Sequence, residues 1–230
     1  MGSSAQTHIQ TELLLKRYLD TINPSLVIYE VYPAVFTSDG VESSLDIISN
    51  DSIHSDLIQL ASEYNHVKIY HTLFYAAYRD FLGHGKHHSE NDVEKRFRKS
   101  DIYVNGGFVE RSVDDYASEN LDAKRWNFRG NQFDAFERNL NFIEARDIPY
   151  ILVYAPITNA LYDSYSNNQE FDDRMHTYGE YLNFNELVET SDNVHFYDIS
   201  HLNQRGVELF NEKLLNILKE SEIGSALRND

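Results

Sequence analysis

The chain has 230 residues, of which 41% are hydrophobic and 25% charged, and this composition is typical of one folded domain and excludes wholesale disorder. Its net charge of −17 repels phosphate backbones and anionic lipid, which argues against nucleic-acid binding and against adhesion to a membrane surface. The absence of cysteine excludes disulfides, zinc–thiolate sites, iron–sulfur clusters and a thiol nucleophile.

The first third of the chain predicts helix, strand and helix in turn. Residues 7–22 place apolar side chains on one helical face, and the helix must end before Pro24. The short β-branched run 26–32 predicts a strand that is buried on both faces, as in a parallel sheet. Residues 43–82 indicate mainly helix, ending at Gly83.

The last part of the chain alternates in the same way. A helix is predicted for 129–146, where Phe133, Phe136, Leu140 and Ile143 share one stripe. Further elements are predicted in chain order: a strand at 150–155, a helix at 169–189, a strand at 194–198 and a helix at 202–220. Such alternation predicts an α/β fold with a parallel sheet, whose ligands bind beyond the carboxyl ends of the strands.

The segment 84–128 is polar and interrupts this alternation, so we interpret it as an insertion within a single domain spanning 1–230. Either it forms a lid over the strand ends, with Tyr103 and Trp126 as candidate substrate contacts, or it is a solvated insertion with no role. His84, His87 and His88 match no zinc spacing and indicate a solvated loop, so no metal is expected. Elsewhere, the carboxylates Glu30, Asp172 and Asp173 are interpreted as solvated faces in a chain this acidic.

Asp198 and His201 form the most informative spacing in the chain. They fall between the predicted strand 194–198 and the final helix, where a ligand site is expected. An Asp three residues before a His can accept a hydrogen bond from one imidazole nitrogen and leave the other nitrogen free to take a proton from a nucleophile. The alternative is that Asp198 caps the final helix and His201 is an ordinary surface residue.

The segment Asp198-Ile199-Ser200-His201-Leu202-Asn203, followed by Gly206, resembles the closing block of the SGNH (GDSL-like) hydrolases. Residues 2–7 and the run 23–33 resemble the second block and the following strand of a bacterial envelope branch of that superfamily. This branch includes proteins of D-alanine transfer and polysaccharide O-acetylation. The resemblance implies a three-layer α/β/α sandwich with a parallel sheet, and ester hydrolysis or acyl transfer on acyl, acetyl-like esters of envelope glycans.

The resemblance also implies roles for individual residues. His201 would be the general base and then the general acid, and Asp198 would orient it. Gly2 would donate a backbone N–H to the oxyanion hole. The family's usual Asn donor has no counterpart at 30–33, where the chain reads Glu-Val-Tyr-Pro. The sequence therefore does not identify the second donor of the oxyanion hole. No metal or organic cofactor is implied.

The family nucleophile is a Ser in a Gly-x-Ser turn after the first strand, and only Met1 precedes Gly2 here. One interpretation places the first strand and the nucleophile upstream of this chain, which would then be inactive as given. It would also carry an exposed sheet edge through which two copies could associate. The rival interpretation makes Ser3 or Ser4 the nucleophile.

A second hypothesis comes from a different class of protein. The chain could be a non-catalytic glycan-binding or scaffold protein on a hydrolase-like fold, because fold does not fix function. Localisation stays open on the sequence alone. The resemblance suggests the bacterial envelope, although the chain carries no signal peptide and no apolar run that approaches the ~20 residues of a membrane span.

Overall fold

The computed structural model describes residues 5–51, 53–83, 116–117 and 120–221, and the backbone of 101–104 and 108–111. In this part of the chain the fold is mixed α/β, with many more helices than strands. In chain order its elements are α1 (His8–Ile22), β1 (Val27–Glu30), a 3-10 turn (Pro33–Thr37), α2 (Val41–Asn50), α3 (Ser55–Tyr64), α4 (Val67–Phe81), β2 (Asp101–Val104), β3 (Phe108–Arg111), α5 (Gly130–Glu144), β4 (Tyr150–Tyr154), α6 (Asn159–Ser164), α7 (Asn168–His176), β5 (Tyr181–Asn183), α8 (Phe184–Leu187), α9 (Asp192–His195) and α10 (Gln204–Glu220).

The chain divides into two compact units, and the first is helical. It comprises the described residues within Met1–Asn23, Val35–Glu94 and Phe128–Phe142. A capping box between Thr7 and Gln10 begins α1, and Asn23 in the left-handed conformation ends it. The predicted helical region 43–82 consists of α2, α3 and α4. Their shared core comprises Leu13, Ile47, Ile48, Leu57, Leu60, Ala61, Ile69 and Ala76.

The second unit holds a small parallel sheet. It comprises the described residues within Pro24–Ala34, Lys95–Asn127 and Ile143–Asp230. The strand order is β1-β4-β5, with Tyr29 paired to Leu152 and Val153 paired to Leu182. Side chains of β4 alternate between faces: Ile151 and Val153 pack with α8 and α10, whereas the Tyr154 ring lies 6.2 Å from rings of α6 and α7. The predicted parallel sheet is therefore present. The expectation that its first strand is buried on both faces is wrong, because Tyr29 is buried but Ile28, on the other face of β1, is 47% exposed.

The third predicted strand, at 194–198, is wrong. Those residues form the end of α9 and a turn, and the third strand of the sheet is Tyr181–Asn183, inside the stretch predicted as one helix over 169–189. The Asn203 side chain satisfies the backbone locally, because its Nδ2 donates to the carbonyl of Val194 at 2.8 Å and to that of Phe196 at 3.4 Å. Those carbonyls therefore have partners without a β-ladder.

The predicted insertion lies largely outside the described residues. Its described parts are an antiparallel hairpin of β2 and β3, residues 116–117, and an extended run from residue 120. Of the helices that the structure describes, none combines the length and the apolar composition needed to cross a bilayer.

Candidate functional site

The site is built on a tight loop in the second unit, between α9 and α10. Phe196 and Leu202 form an isolated antiparallel bridge, and the Tyr197 N–H donates to the His201 carbonyl at 3.1 Å. The loop tip is anchored from outside as well, because the Thr158 hydroxyl donates to the Ile199 carbonyl at 2.8 Å. The segment 198–201 is therefore held at its base and at its tip.

Asp198 and His201 come together at this loop tip. The Nδ1 atom of His201 lies 2.9 Å from both carboxylate oxygens of Asp198. Oδ1 of Asp198 also accepts the backbone N–H groups of Ser200 and His201, each at 2.9 Å. One carboxylate thus fixes both the turn and the ring, and the structure brings together the two residues that the Asp-x-x-His spacing singles out.

The imidazole remains available to another molecule. The side chains of His201 and Asp198 are 62% and 42% exposed. Because a carboxylate can only accept, a neutral ring carries its proton on Nδ1 and leaves Nε2 as the acceptor. Within the described residues, Nε2 makes no hydrogen bond. The Tyr197 ring stacks on the imidazole at 5.5 Å between centroids and restricts its rotation.

Ser200 is the hydroxyl closest in sequence to this ring, but it does not occupy the place of a nucleophile. Its Oγ lies 3.2 Å from Nδ1, the nitrogen that Asp198 already engages. A nucleophile activated by this pair must instead approach Nε2.

Gly206 allows the start of α10 to pack closely against the loop that carries Asp198 and His201. A Cβ atom at this position would lie 2.2 Å from the His195 carbonyl oxygen and 2.7 Å from the Leu202 side chain. The backbone N–H of Gly206 also donates to the N-cap of α10, the side-chain Oδ1 of Asn203, at 3.1 Å. The glycine that follows the closing block is therefore required by a close approach of helix and loop.

Two further side chains near the carboxyl end of β1 interact electrostatically with the pair. Glu30 remains accessible to solvent, yet the protein around its carboxyl group raises its pKa, and the charge of His201 partly opposes this rise. Burial raises the pKa of Tyr32 to about 12, and the charges of Tyr165, Glu30 and Asp198 add to the rise. The sequence alone predicts a solvated carboxylate at Glu30, because acidic residues are abundant in this chain.

The carboxyl end of β5 holds a buried polar centre. Asp172, 5% exposed, accepts the Tyr181 hydroxyl at 2.6 Å and the Asn183 side chain at 3.0 Å. Burial raises its pKa, and the two donors partly oppose that rise. The interpretation of Asp172 as a solvated carboxylate is therefore wrong. Its neighbours Phe171 and Met175 are both buried, so the helix turns this side toward the protein.

The candidate lid residues differ in what the structure describes. Trp126 is only 6% exposed and stacks on Tyr165 with 3.3 Å between ring centroids, while its indole N–H donates to Asn168 at 2.9 Å. A ring buried in this way contacts substrate only if the segment moves. Tyr103 lies in β2, where the backbone alone is described.

The remaining candidates cannot be placed. Gly2, Ser3 and Ser4 lie outside the described residues, as do His84, His87 and His88. In the part of the chain that the structure describes, no group of three His, Asp or Glu side chains is arranged to hold a metal ion.

Comparison of the chain with protein-family models, with curated proteins and with solved structures finds no significant match.

Proposed function

We propose that this chain carries the base half of a serine acyl-ester centre of the SGNH type, on a three-layer α/β/α sandwich. The observation that carries the proposal is the Asp198–His201 pair, in which both carboxylate oxygens lie 2.9 Å from Nδ1 and the ring is exposed. The carboxylate favours the ring tautomer that leaves Nε2 as the acceptor, which is the tautomer that the base of a serine centre requires. The closing-block sequence adds support, since Gly206 fits a required close approach.

The proposed chemistry moves one proton at Nε2. A serine hydroxyl gives its proton to Nε2 as its Oγ attacks the ester carbonyl, and Asp198 stabilises the imidazolium that results. The imidazolium then returns that proton to the departing alkoxide, which leaves an acyl-serine. Water or a sugar hydroxyl reverses these steps, and the product is a free acid or a transferred acyl group. By the family resemblance the acyl group is acetyl-like and the acceptor or donor is an envelope glycan.

Among the described residues none hydrogen-bonds to Nε2, so we place the serine of this mechanism outside them. Ser3 and Ser4 are one source, and a Gly-x-Ser turn encoded upstream of Met1 is the other. Sequencing the reading frame upstream of Met1 distinguishes the two sources before any assay is run.

The direct test measures hydrolysis of a short-chain aryl ester by the natural protein, including any residues encoded upstream of Met1. His201→Ala should lower kcat by about 10³-fold or more, because the general base is lost. The matched control is His54→Ala, since His54 is exposed and makes no side-chain cap on α3. Turnover that is equal in His201→Ala and the wild type would remove His201 from the mechanism. If the natural protein turns over no ester, the non-catalytic glycan-binding alternative replaces the proposal.

A further inference from the structure

Helix α4, in the first unit, carries a long apolar stripe on the side that faces solvent. The members of this stripe are large, exposed and spaced three or four residues apart: Val67, Tyr70, Phe74, Tyr78 and Phe81. At about 100° per residue, all five lie within roughly 40° of Phe74 around the helix axis. Phe74 and Phe81 are 77% and 85% exposed, so the described protein leaves this stripe uncovered.

The opposite side of α4 already anchors the helix. Ile69 and Ala76 are fully buried and belong to the core of the first unit, together with Leu57 and Leu60. The stripe is therefore not needed to bury α4 in the fold. Scattered exposed apolar side chains are normal in proteins, but a contiguous aromatic patch of this kind marks an interaction surface.

The spacing of the stripe is symmetric about Phe74. The other members lie at −7, −4, +4 and +7 from that residue. A twofold axis at Phe74 would bring Phe74 of one copy onto Phe74 of the other, and Val67 level with Phe81. We propose that α4 is a dimerisation surface, on which the α4 stripes of two copies of this chain pack antiparallel.

The exposed apolar area of α4 matches what a second copy of the chain would need to cover. Tyr75 and Leu82 are also exposed and lie together on one flank of the stripe. With about 200 Å² for a full aromatic side chain, the exposed fractions correspond to on the order of 700–800 Å² on each copy. A stable interface of standard size buries about 800 Å² on each partner. The stripe and this flank together thus expose about the area that one partner of a standard interface buries.

Charge favours this face over others for self-association. Two copies each carry a net charge of −17, so most acidic faces repel one another. The single carboxylate of α4, Asp80, accepts the Ile53 N–H at 2.9 Å and pairs with Arg79 at 2.9 Å. The exposed polar residues beside the stripe are Lys68 and His71. Helix α4 itself therefore brings no unpaired carboxylate to the contact when two copies approach along it.

The test is the oligomeric state of the full chain by sedimentation velocity between 1 and 200 µM, concentrations chosen to span a micromolar dissociation constant. The wild type should dimerise in this range. Phe74→Asp should raise the dissociation constant at least 100-fold, because two carboxylates would meet at the twofold axis. The matched control is Leu215→Asp, which changes a leucine that is 53% exposed on α10 and should leave the dissociation constant unchanged.

A cross-linking experiment keeps the proposal falsifiable if Phe74→Asp does not fold. Since the chain has no cysteine, Phe74→Cys introduces a single thiol at the proposed axis. Mild oxidation should then join two chains, because seam residues of antiparallel helices come within disulfide reach. Leu215→Cys under the same conditions should stay monomeric in a denaturing gel.

Three results would overturn the proposal. They are a wild type that is monomeric at 200 µM, a dimer that Phe74→Asp does not weaken, and equal cross-linking of the Phe74→Cys and Leu215→Cys variants. Adsorption of a monomeric wild type to phosphatidylcholine vesicles, abolished by Phe74→Asp, would instead identify the stripe as a lipid-binding surface and would also overturn it.

Discussion

His8 and His201 are the same side chain in opposite surroundings. His8 lies in the first unit, 2% exposed, with its ring 4.1 Å from that of Phe36 and 5.2 Å from that of Phe136. Burial lowers the pKa of His8 to about 3, so it stays neutral over the physiological range. His201 is exposed and is held by Asp198 at 2.9 Å. The difference shows that a histidine buried against aromatic rings serves packing, whereas one can serve proton transfer where a carboxylate holds one nitrogen and solvent reaches the other.

Asp198→Asn in the natural protein removes the carboxylate that sets His201 apart from His8, and, of the substitutions that test this contrast, it should have the largest effect on activity. The amide oxygen can still accept the N–H groups of Ser200 and His201, so the turn should survive. The amide NH₂ group, however, cannot accept from Nδ1 and favours the wrong tautomer. We expect kcat for ester hydrolysis to fall roughly 10³- to 10⁴-fold, with a circular dichroism spectrum that matches the wild type. A loss of less than tenfold would show that Asp198 does not orient His201 for catalysis.

His8→Phe tests the other member of the comparison. The unfolded chain takes up a proton at His8 below pH 6.5, whereas the folded protein does not until about pH 3, so wild-type stability falls as the pH falls through this window. The variant lacks this loss and keeps an aromatic ring in the same place. Between pH 6.5 and 4, the wild type should lose roughly 3 kcal/mol more of its free energy of unfolding than the variant does. Denaturant unfolding at both pH values measures this, with the exposed His54→Phe as control.

Asp172→Asn extends the comparison to carboxylates, and its expected effect is smaller. The folded-state pKa of Asp172 is raised, so its stabilising contribution is fully present below the unfolded pKa and is lost as the pH rises through the folded one. The asparagine variant should therefore gain stability relative to the wild type as the pH rises from 4 to 8. Urea unfolding across that range measures the difference, and a constant difference at every pH would contradict a raised pKa.

Ser200→Ala should change ester hydrolysis least, and it tests whether the proton transfer takes place at Nε2 of His201. The Ser200 hydroxyl contacts Nδ1 at 3.2 Å, beside the carboxylate that already holds this nitrogen. We expect kcat/KM for the aryl ester to stay within about threefold of the wild type, because Nε2 performs the proposed proton transfer. A loss of several orders of magnitude would mean that Ser200 itself is the nucleophile.

The elements with long periodic patterns could be predicted from the sequence, and the short ones could not. The stripe of Phe133, Phe136, Leu140 and Ile143 predicts α5, and all four side chains are buried. The three-residue strand Tyr181–Asn183 is too short to show a period of two, and it was hidden inside a helical pattern. The run at 194–198 is apolar enough to predict a strand, but the Asn203 side chain takes up the carbonyls of Val194 and Phe196, and α9 and a turn form there instead.

The site could be predicted in part for the same reason. Asp198 and His201 are close in sequence, so their spacing alone indicates that they can meet. Glu30, at the end of β1, and Tyr32, two residues later, interact with that pair from a distant part of the chain, and Asp172 meets Tyr181 only because α7 and β5 fold together. Nothing local in the sequence encodes those contacts. The sequence predicts helix over 43–82, but which face of α4 stays exposed depends on the packing of α2 and α3.

The crowding around Gly206 has a consequence for recognising related chains. An aspartate and a histidine three residues apart occur by chance in many sequences, whereas a helix start that touches a carbonyl oxygen admits no side chain at all. Any sequence that keeps the spacing but replaces this glycine must hold the start of its final helix further from the His195 carbonyl. In related chains, a glycine at this position together with the Asp-x-x-His spacing should therefore mark a final helix packed this tightly against the loop.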